Sequence, residues 1–199
     1  MTAFENTLEF RYACKKFNGE KIPKEKLESI LNAARLAPSS FGLEQWKFIV
    51  VQDAATKEKL APACFNQPQI TTSSDVIVVV GRNDVRKGTQ YLEKCLGRFG
   101  EAKETMRPII EGFLDRLDES SYHEWVSKQC YIAASHIMQG SASIEIDSCP
   151  MEGFIPAQVD EILGLGKDFF TSIIIPVGYR ADSPRPRQRW DMKDLVEYI

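Results

Sequence analysis

Residues 38–51 read Pro-Ser-Ser-Phe-Gly-Leu-Glu-Gln-Trp-Lys-Phe-Ile-Val-Val, a polar loop that runs directly into an apolar segment. The segment Trp46–Val51 is rich in aromatic and β-branched residues, which predicts a strand. Two other apolar runs, residues 76–80 and 172–179, predict further strands. The run at 76–80 is apolar throughout, as in a strand that is buried on both faces.

Helical spacing of apolar residues fills most of the chain between these strands. Helices are expected over the N-terminal residues to about 11, from Pro23 to Pro38, over residues 56–61 and 122–142, and from Pro156 to Gly164. Strands and helices do not alternate regularly. The pattern therefore predicts an α+β sandwich, a sheet with helices on both faces, and not a doubly wound fold.

Three segments have less regular patterns. Residues 88–120 have helically spaced apolar residues interrupted by Gly and Pro, which predicts two helical pieces that move or pack loosely. Ile144 and Ile146 alternate with charged residues and predict a short strand. The apolar tail 195–199 has strand character, and a chain end of this kind needs a partner surface.

Composition limits the class of protein. The chain has 199 residues, enough to bury a core without disulfides, and predicts one domain over residues 1–199. The formal net charge of -3 argues against a general nucleic-acid binder. Five scattered cysteines form no Cys-x-x-Cys pair, which is typical of reduced thiols in a cytoplasmic protein. Neither a signal peptide nor an apolar run of bilayer-spanning length is recognisable, so no membrane partner is expected.

Several chemistries lack their sequence patterns. Neither GxGxxG nor GxxxxGK[ST] occurs, which removes the common pyrophosphate turn and the P-loop. His123 and His136 have no His-Glu-x-x-His spacing, so no metal site is predicted. No nucleophile elbow supports a Ser-His-Asp or Cys-His mechanism.

Basic residues cluster at both ends of the chain. Arg11, Lys15 and Lys16 lie near the start, and Arg185, Arg187 and Arg189 lie near the end. Two solvated loops would explain them, which is the common fate of isolated charges. Alternatively both clusters converge on one phosphate, where each charge-assisted hydrogen bond contributes roughly 1.5–3 kcal/mol. The residues alone leave both interpretations open.

Six short motifs in a fixed order separate these alternatives. They are Arg11-x-x-x-Lys15-x-Phe17, Pro38-Ser39-Ser40, Asn66-Gln-Pro-Gln69, Glu124-Trp-x-x-Lys128-Gln129, Pro150-x-Glu152-Gly153-Phe154 and Pro186-Arg187-Gln188-Arg189. In this order and spacing the chain resembles the FMN-dependent nitroreductase family over nearly its full length. The resemblance is weakest over residues 88–120. It implies a central mixed, mostly antiparallel sheet flanked by helices, in an intertwined homodimer.

The resemblance also implies roles for individual residues. Those matching Arg11, Arg187 and Arg189 hold the FMN phosphate, and the one matching Lys15 lies beside N1 and O2 of the flavin. The residue matching Asn66 contacts the pyrimidine edge, and backbone amides at Glu152 and Gly153 address N5 and O4. Pro38, Ser39 and Ser40 would come from the other subunit. The remaining expected cofactor-binding residues are Tyr12, Ala13, Gln69, Gln129 and Met151.

The implied activity is that of an NAD(P)H oxidoreductase. NADPH or NADH would pass hydride to FMN at N5, and a small-molecule acceptor such as a nitroaromatic or quinone would then take the same place. No side chain is expected to act as a catalytic acid or base, because flavin N5 is the reacting centre. Two alternatives remain: a flavin storage or sensor protein with little turnover, and a specialised flavin dehalogenase or desaturase.

The chain departs from the family pattern at four residues in three places. Ala13 stands where many relatives carry Ser, so one phosphate contact is expected to be missing. Gln69 stands where many carry Lys, which removes a positive charge near the pyrimidine ring and is expected to leave the flavin more strongly reducing. Glu44-Gln45 replaces a Gln or Asn followed by Pro, which changes the expected loop geometry.

Overall fold

The computed structural model describes all residues 1–199. The chain forms helices and strands that follow one another irregularly. They are α1 (Ala3–Phe10), α2 (Lys24–Arg35), β1 (Trp46–Val51), α3 (Ala54–Ala63), α4 (Pro68–Thr72), β2 (Asp75–Arg82), α5 (Gln90–Gly97), α6 (Lys103–Leu114), α7 (Glu119–Ser143), β3 (Asp147–Ser148), α8 (Pro156–Ile162) and β4 (Phe169–Gly178). Short 3-10 turns cover Ser40–Gly42, Gly100–Ala102 and Met192–Asp194.

One four-stranded sheet organises these elements. Its strand order is β1-β2-β4-β3, and every pair of strands is antiparallel. The predicted α+β class and the three long predicted strands are confirmed. One parallel bridge joins Ala13, which lies outside the strands, to Ser148 of β3. This bridge brings the segment after α1 to the edge of the sheet, which matters for the site described below.

Both faces of the sheet are covered. Along β2 the side chains of Ile77 and Val79 belong to a large core with α2, α5, α6 and α7. Val76, Val78 and Val80 point the other way, into a smaller core with α3, α4 and α8. All five side chains are fully buried. A strand with apolar residues at every position is explained by this arrangement, because neither face meets water.

The expectation that residues 88–120 pack loosely is wrong. Leu92 and Leu96 of α5 and Ile110 of α6 are fully buried in the large core. The two helices are also joined by a bidentate ion pair, in which Arg107 Nη2 lies 2.9 Å from Glu93 Oε2. Gly97 ends α5 and Gly100 lies in the turn before α6, while Pro108 and Gly112 lie within α6. Both helices are well packed despite these interruptions.

The strand predicted at Ile144 and Ile146 is also wrong. Ile144 is the C-cap of α7, and Glu145 adopts a left-handed conformation with φ of 59°. The buried side chain of Ile146 therefore reaches the core from a turn, and pairing begins one residue later, at β3. The alternation of apolar and charged residues here reflects the exit of a helix, not a strand.

The tail does not form the strand that its composition suggests. Residues after the 3-10 turn at Met192–Asp194 have no regular structure, and the side chains of Leu195 and Tyr198 are 63% and 92% exposed. A strand needs a free edge to pair with, and the tail pairs with none in a single protomer. None of the helices combines the length and the apolar character needed to cross a bilayer.

Candidate functional site

A cleft of about 880 Å³ lies between the segment after α1 and the loop after β4. The two basic clusters of the sequence, 176 residues apart at Arg11 and Arg187, meet in it. Its lining residues are Glu9, Arg11, Tyr12, Ala13, Lys15, Asp182, Ser183, Pro184, Arg185, Pro186, Arg187, Gln188 and Arg189. Six of the fifteen predicted site residues are therefore in one place: Arg11, Tyr12, Ala13, Lys15, Arg187 and Arg189.

The cations of the cleft outnumber its acidic side chains. The guanidinium of Arg11 donates no hydrogen bond and forms no ion pair, although it is half-buried. Burial lowers its pKa, and the positive charges of Arg187 and Arg189 lower it further. The side chain of Arg189 donates to one backbone oxygen, that of Gln188, at 2.6 Å. Like charges held together without a counterion are the electrostatic signature of an anion site.

Two carboxylates also line the cleft, and each already has a partner within the protein. The carboxylate of Asp182 accepts a hydrogen bond from the Tyr12 hydroxyl at 2.7 Å. Burial, followed by its hydrogen bonds, raises the pKa of Tyr12, so the phenol stays a donor at neutral pH. Glu9 Oε1 lies 3.8 Å from Arg187 Nη1, at the long end of an ion pair. Five cations thus face two acids, and the cleft keeps its positive character.

Arg187 also connects the loop after β4 to the end of α1. Its Nη2 donates to the carbonyl oxygens of Leu8 and Arg11 at 2.7 Å and to that of Glu9 at 3.2 Å. These carbonyls lie at the C-terminal end of α1, where helix oxygens lack intrahelical partners and attract cations. Arg187 therefore fixes α1 against the loop, and its Nη1 makes no hydrogen bond to the protein, with Glu9 Oε1 3.8 Å away.

Lys15 connects the cleft to a second group of predicted residues. Pairing of Ala13 with Ser148, and a hydrogen bond from Cys14 N to Ser148 O at 3.2 Å, place residues 13–15 beside residues 148 and 149. The Lys15 ammonium then lies 3.4 Å from the buried Cys149 sulfur. The same sulfur is 3.9 Å from the Gln69 amide nitrogen.

The second group consists of residues from α4, from the turn before it and from the loop after β3. Gln69 Nε2 donates to Gln67 Oε1 at 3.1 Å, and Gln67 Nε2 donates to Gly153 O at 2.8 Å. A Cβ atom on Gly153 would lie 2.8 Å from that nitrogen, so any other residue here would force the Gln67 amide to move. Asn66, held at φ of 53°, keeps its exposed side-chain amide free of protein partners.

Two unused backbone donors stand at the centre of this group. Met151 pairs with Ile174 of β4, with N to O distances of 2.8 and 3.2 Å, which fixes the loop. The next two amides, those of Glu152 and Gly153, donate to no protein atom. The Glu152 carboxylate is held at 2.7 Å by the hydroxyl of Tyr131 from α7. An ordered loop with two consecutive free N–H groups is ready to bind an acceptor atom.

The remaining predicted residues lie apart from the cleft. Ser40 N donates to Gln129 Oε1 at 2.9 Å, which ties the 38–45 loop to α7. Ser39 Oγ accepts from Glu44 N at 2.9 Å, and the loop contains left-handed residues at Phe41 and Glu44. Pro38, Ser39, Ser40 and Gln129 do not line the cleft of their own protomer. The structure thus places the fifteen predicted residues in three groups. One lines the cleft, the second lies around α4 and the loop after β3 and is connected to the cleft by Lys15, and the third consists of the 38–40 loop with Gln129 of α7.

Two residues that join these parts were not predicted from the sequence. Gln67 links Gln69 to Gly153, and Cys149 lies under the Lys15 ammonium. Gln67 could have been noticed because it lies inside the Asn66-Gln-Pro-Gln69 motif. Nothing in the sequence singles out Cys149. No group of three or more His, Cys, Asp or Glu side chains is arranged to hold a metal ion.

Comparison with known proteins gives consistent results. Residues 8–179 match the family described as Nitroreductase family. The chain is 33% identical over 98% of its length to a protein of Staphylococcus haemolyticus (96% covered) named as a "Putative NAD(P)H nitroreductase". It is 34% identical over 96% of its length to one of Bacillus subtilis, "Putative NAD(P)H nitroreductase YfkO" (94% covered).

Solved structures agree on the fold. A nitroreductase ydfN of Bacillus subtilis, described as putative, superposes with a TM-score of 0.88 at 28% identity and covers 98% of both chains. A structure from Exiguobacterium sibiricum, described as a nitroreductase in complex with FMN, has a TM-score of 0.84 at 26% identity, with 100% of this chain and 98% of that chain covered. The α+β architecture described above is the fold of these proteins.

Proposed function

Because the chain belongs to the nitroreductase family, we propose that it is an FMN-dependent NAD(P)H oxidoreductase that reduces small-molecule acceptors such as nitroaromatics or quinones. One observation supports the cofactor most directly. Uncompensated guanidinium groups lie at one end of the site, and two free backbone amides lie at the other, with Lys15 between them. FMN has one phosphate, a ring edge with acceptor atoms, and a position that becomes negative on reduction, so this donor set fits it.

When bound, FMN supplies hydride transfer at N5 between a nicotinamide and an acceptor. The chain binds and orients it. Arg11, Arg189 and the free side of Arg187 would hold the phosphate, and the amides of Glu152 and Gly153 would hold N5 and O4. The ammonium of Lys15 would face N1 and O2, where a compact positive charge stabilises negative charge better than a neutral donor. Tyr12 and Ala13 would line the phosphate end, and Met151, Gln69 and Asn66 would line the ring end.

We further propose that the working form is a homodimer with two shared sites. The apolar side chains of Phe4, Trp190, Met192, Leu195 and Tyr198 are all more than half exposed in one protomer, which is a large apolar surface for a monomer. The loop at residues 38–40 is rigidly held by Gln129 but has no place in the cleft of its own chain. A two-fold dimer would explain both features. The apolar side chains would be buried between the subunits, and each loop would complete the partner's site.

The cofactor is tested by identifying the released chromophore. Purified protein is expected to be yellow, and heat should release FMN without covalent attachment, which mass spectrometry distinguishes from FAD. The cations of the cleft are enough for one terminal phosphate, and no pyrophosphate turn is present. FAD in place of FMN, or no flavin after reconstitution with FMN, would contradict the proposal.

Turnover is tested by steady-state kinetics with NADH and NADPH, each against a quinone and a nitroaromatic. Donor and acceptor that use the same face of the flavin cannot bind together, so double-reciprocal plots should give parallel lines. Intersecting lines would contradict a shared face. Tight FMN binding without turnover by either nucleotide would instead identify a storage or sensor protein.

A further inference from the structure

The structure contains a contact that the proposed function does not use. The Lys15 ammonium is paired with a thiol, that of Cys149, at 3.4 Å. No carboxylate is within ion-pair distance of Lys15 Nζ. A lysine at the surface normally has a mobile four-carbon stem and a hydrated head. Here the head has one protein partner, and this partner is fully buried.

The backbone on both sides of the contact is fixed. Cys149 N donates to Pro176 O of β4 at 3.1 Å, and Met151 pairs with Ile174 on the same strand. On the other side, Ala13 bridges to Ser148, and Cys14 N donates to Ser148 O. The distance between the lysine backbone and the sulfur is therefore determined by the sheet. A side chain at position 149 cannot retreat from Lys15 without disturbing β4.

The groups around the Cys149 sulfur allow it to accept a hydrogen bond from the Lys15 ammonium. The thiol can donate its one proton to Pro150 O, at 3.8 Å, while its lone pairs accept from Lys15 and from Gln69 at 3.9 Å. Burial raises the pKa of Cys149 against the opposing influence of Lys15, so the group is a neutral thiol at pH 7. A neutral acceptor orients an ammonium without cancelling its charge, which a carboxylate in the same place would do.

We propose that Cys149 is a positioning residue that holds the Lys15 ammonium against the flavin and thereby tunes the reduction potential of bound FMN. The proposal rests on the proposed function. One N–H of Lys15 is held by sulfur, and two remain for N1 and O2 of the ring. Without the sulfur, the ammonium samples more rotamers and stabilises the negative charge of the reduced ring less, so the potential should fall.

The test is a double-mutant cycle that measures the two-electron midpoint potential of bound FMN against reference dyes without oxygen. Cys149→Val removes the acceptor and keeps an apolar side chain of similar size. We expect reduced FMN to lose about tenfold in binding relative to oxidised FMN, which is a fall of about 30 mV for a two-electron couple. Cys149→Ala should move the potential in the same direction and replaces Val if the larger side chain prevents folding. Cys149→Ser, which keeps an acceptor, should lie closer to wild type.

The second arm of the cycle tests whether the effect of Cys149 depends on Lys15. In a Lys15→Met background, Cys149→Val should cause no further shift, because the ammonium through which the sulfur acts is gone. Cys95→Val is the matched control: it removes another buried thiol, whose acceptor, Leu43 O, also accepts from Tyr91 at 3.0 Å. Its potential should equal that of wild type.

The outcomes separate this inference from the proposed function. A wild-type protein that takes up no FMN overturns the proposed function and this inference with it. FMN binding with equal potentials in wild type, Cys149→Val and Cys149→Ala overturns the role of Cys149 alone. An equal shift in the Lys15→Met background also overturns it, because the sulfur would then act by another route.

Discussion

The two ends of the candidate site are built in different ways. The cleft end consists of charged side chains on a loop after β4 and on the segment after α1, and its central guanidinium, that of Arg11, has no protein partner. The end formed by Gln67, Gln69 and Gly153 consists of backbone and buried amides whose hydrogen bonds are mostly made within the protein. The cleft end therefore has positive charges without protein partners. At the other end, most hydrogen-bonding groups have protein partners, and two backbone amides remain free.

Because of this difference, substitutions at the two ends should have different effects on FMN affinity and on the free energy of unfolding. Removing an unpartnered cation costs the folded protein little and even relieves repulsion, but it takes away a ligand for an anion. Changing a packed amide network costs stability whether or not a cofactor is present. Substitutions of Arg11 and Arg189 should therefore change FMN affinity alone, whereas Arg187 also holds α1. Substitutions at the other end should change both FMN affinity and the free energy of unfolding.

The largest expected effect tests whether either end is complete in a single chain. Deleting residues after Asp191 keeps every cation of the cleft but removes Leu195, Val196 and Tyr198, which are exposed in one protomer. Burying three such side chains against a partner contributes roughly 1.5–3 kcal/mol each, and a two-fold dimer gains this twice. The truncated protein should dissociate and lose FMN together, as measured by sedimentation and flavin absorbance on one sample.

Two results would contradict the shared-site dimer. A truncated protein that stays dimeric with full FMN occupancy would mean that the tail has no part in assembly. A full-length protein that is monomeric yet holds FMN tightly would mean that both ends are complete within one chain.

The next largest effect is expected at the cleft end. Arg11→Ala and Arg189→Ala should each weaken FMN binding about tenfold to hundredfold, because a hydrogen bond to a charged group contributes about 1.5–3 kcal/mol. Lys16→Ala is the matched control, since Lys16 is an exposed cation of the same segment that does not line the cleft. Fluorescence titration of the apoprotein gives the dissociation constants. Equal losses for all three variants would contradict the phosphate assignment.

Thermal unfolding of the same apoproteins sharpens the contrast between the two ends. Arg11→Ala and Arg189→Ala should unfold at the wild-type temperature or slightly above it. Gly153→Ala should be less stable, because its Cβ would displace the Gln67 amide and break the hydrogen bond to Gly153 O. The expected cost is about 0.5–1.5 kcal/mol, the net contribution of one hydrogen bond. An unchanged unfolding temperature for Gly153→Ala would show that the Gln67 contact does not support the loop.

The smallest effect concerns the support of the second end. Lys57 is buried, and its ammonium donates to Ser73 O at 2.8 Å and Ser74 O at 2.6 Å, just after α4. Burial, followed by repulsion from Lys21, lowers the pKa of Lys57 to about 8. The unfolded chain, in which this lysine has its ordinary pKa of 10.5, then binds more protons than the native protein between pH 8 and 10.5. The contribution of Lys57 to stability should therefore rise with pH over this window.

Other groups titrate in the same window, so the measurement is a difference. Urea unfolding of wild type and of Lys57→Met at pH 8, 9 and 10 gives the free energy of unfolding of each. The wild-type value minus the variant value should grow with pH, by no more than about 1.4 kcal/mol per pH unit. A difference that stays constant would mean that Lys57 titrates normally.

The parts of the fold that depend on local pattern were predictable from the sequence. The apolar runs predicted β1, β2 and β4. The run in β2 is unbroken because that strand is buried on both faces. Spacing also predicted α7. The basic clusters alone left their convergence open, and the family resemblance indicated that they meet. Prediction failed where a contact across the chain decides the structure. The five-residue α4 follows two left-handed residues, Phe65 and Asn66, which no periodicity signals.

Two further failures have the same origin. Gly and Pro interrupt the apolar pattern of residues 90–114, yet α5 and α6 bury Leu92, Leu96 and Ile110 against elements far along the chain. The tail at 195–199 has the composition of a strand without an edge to pair with. Cys149 became visible only through its contact with Lys15, 134 residues away. The nitroreductase resemblance could identify residues in family motifs but not one outside them.

The contact between Arg187 and α1 has a consequence for how the protein is made. The carbonyl of Leu8 accepts a hydrogen bond from Arg187, which lies 179 positions later in the chain. The cleft has one wall from the segment after α1 and one from the loop after β4, so it cannot form on a nascent polypeptide until Arg187 has been synthesised. Under the proposed function, loading with FMN would follow folding of the sheet, and a ribosome that stalls before Arg187 would release a product that lacks the second wall of the cleft.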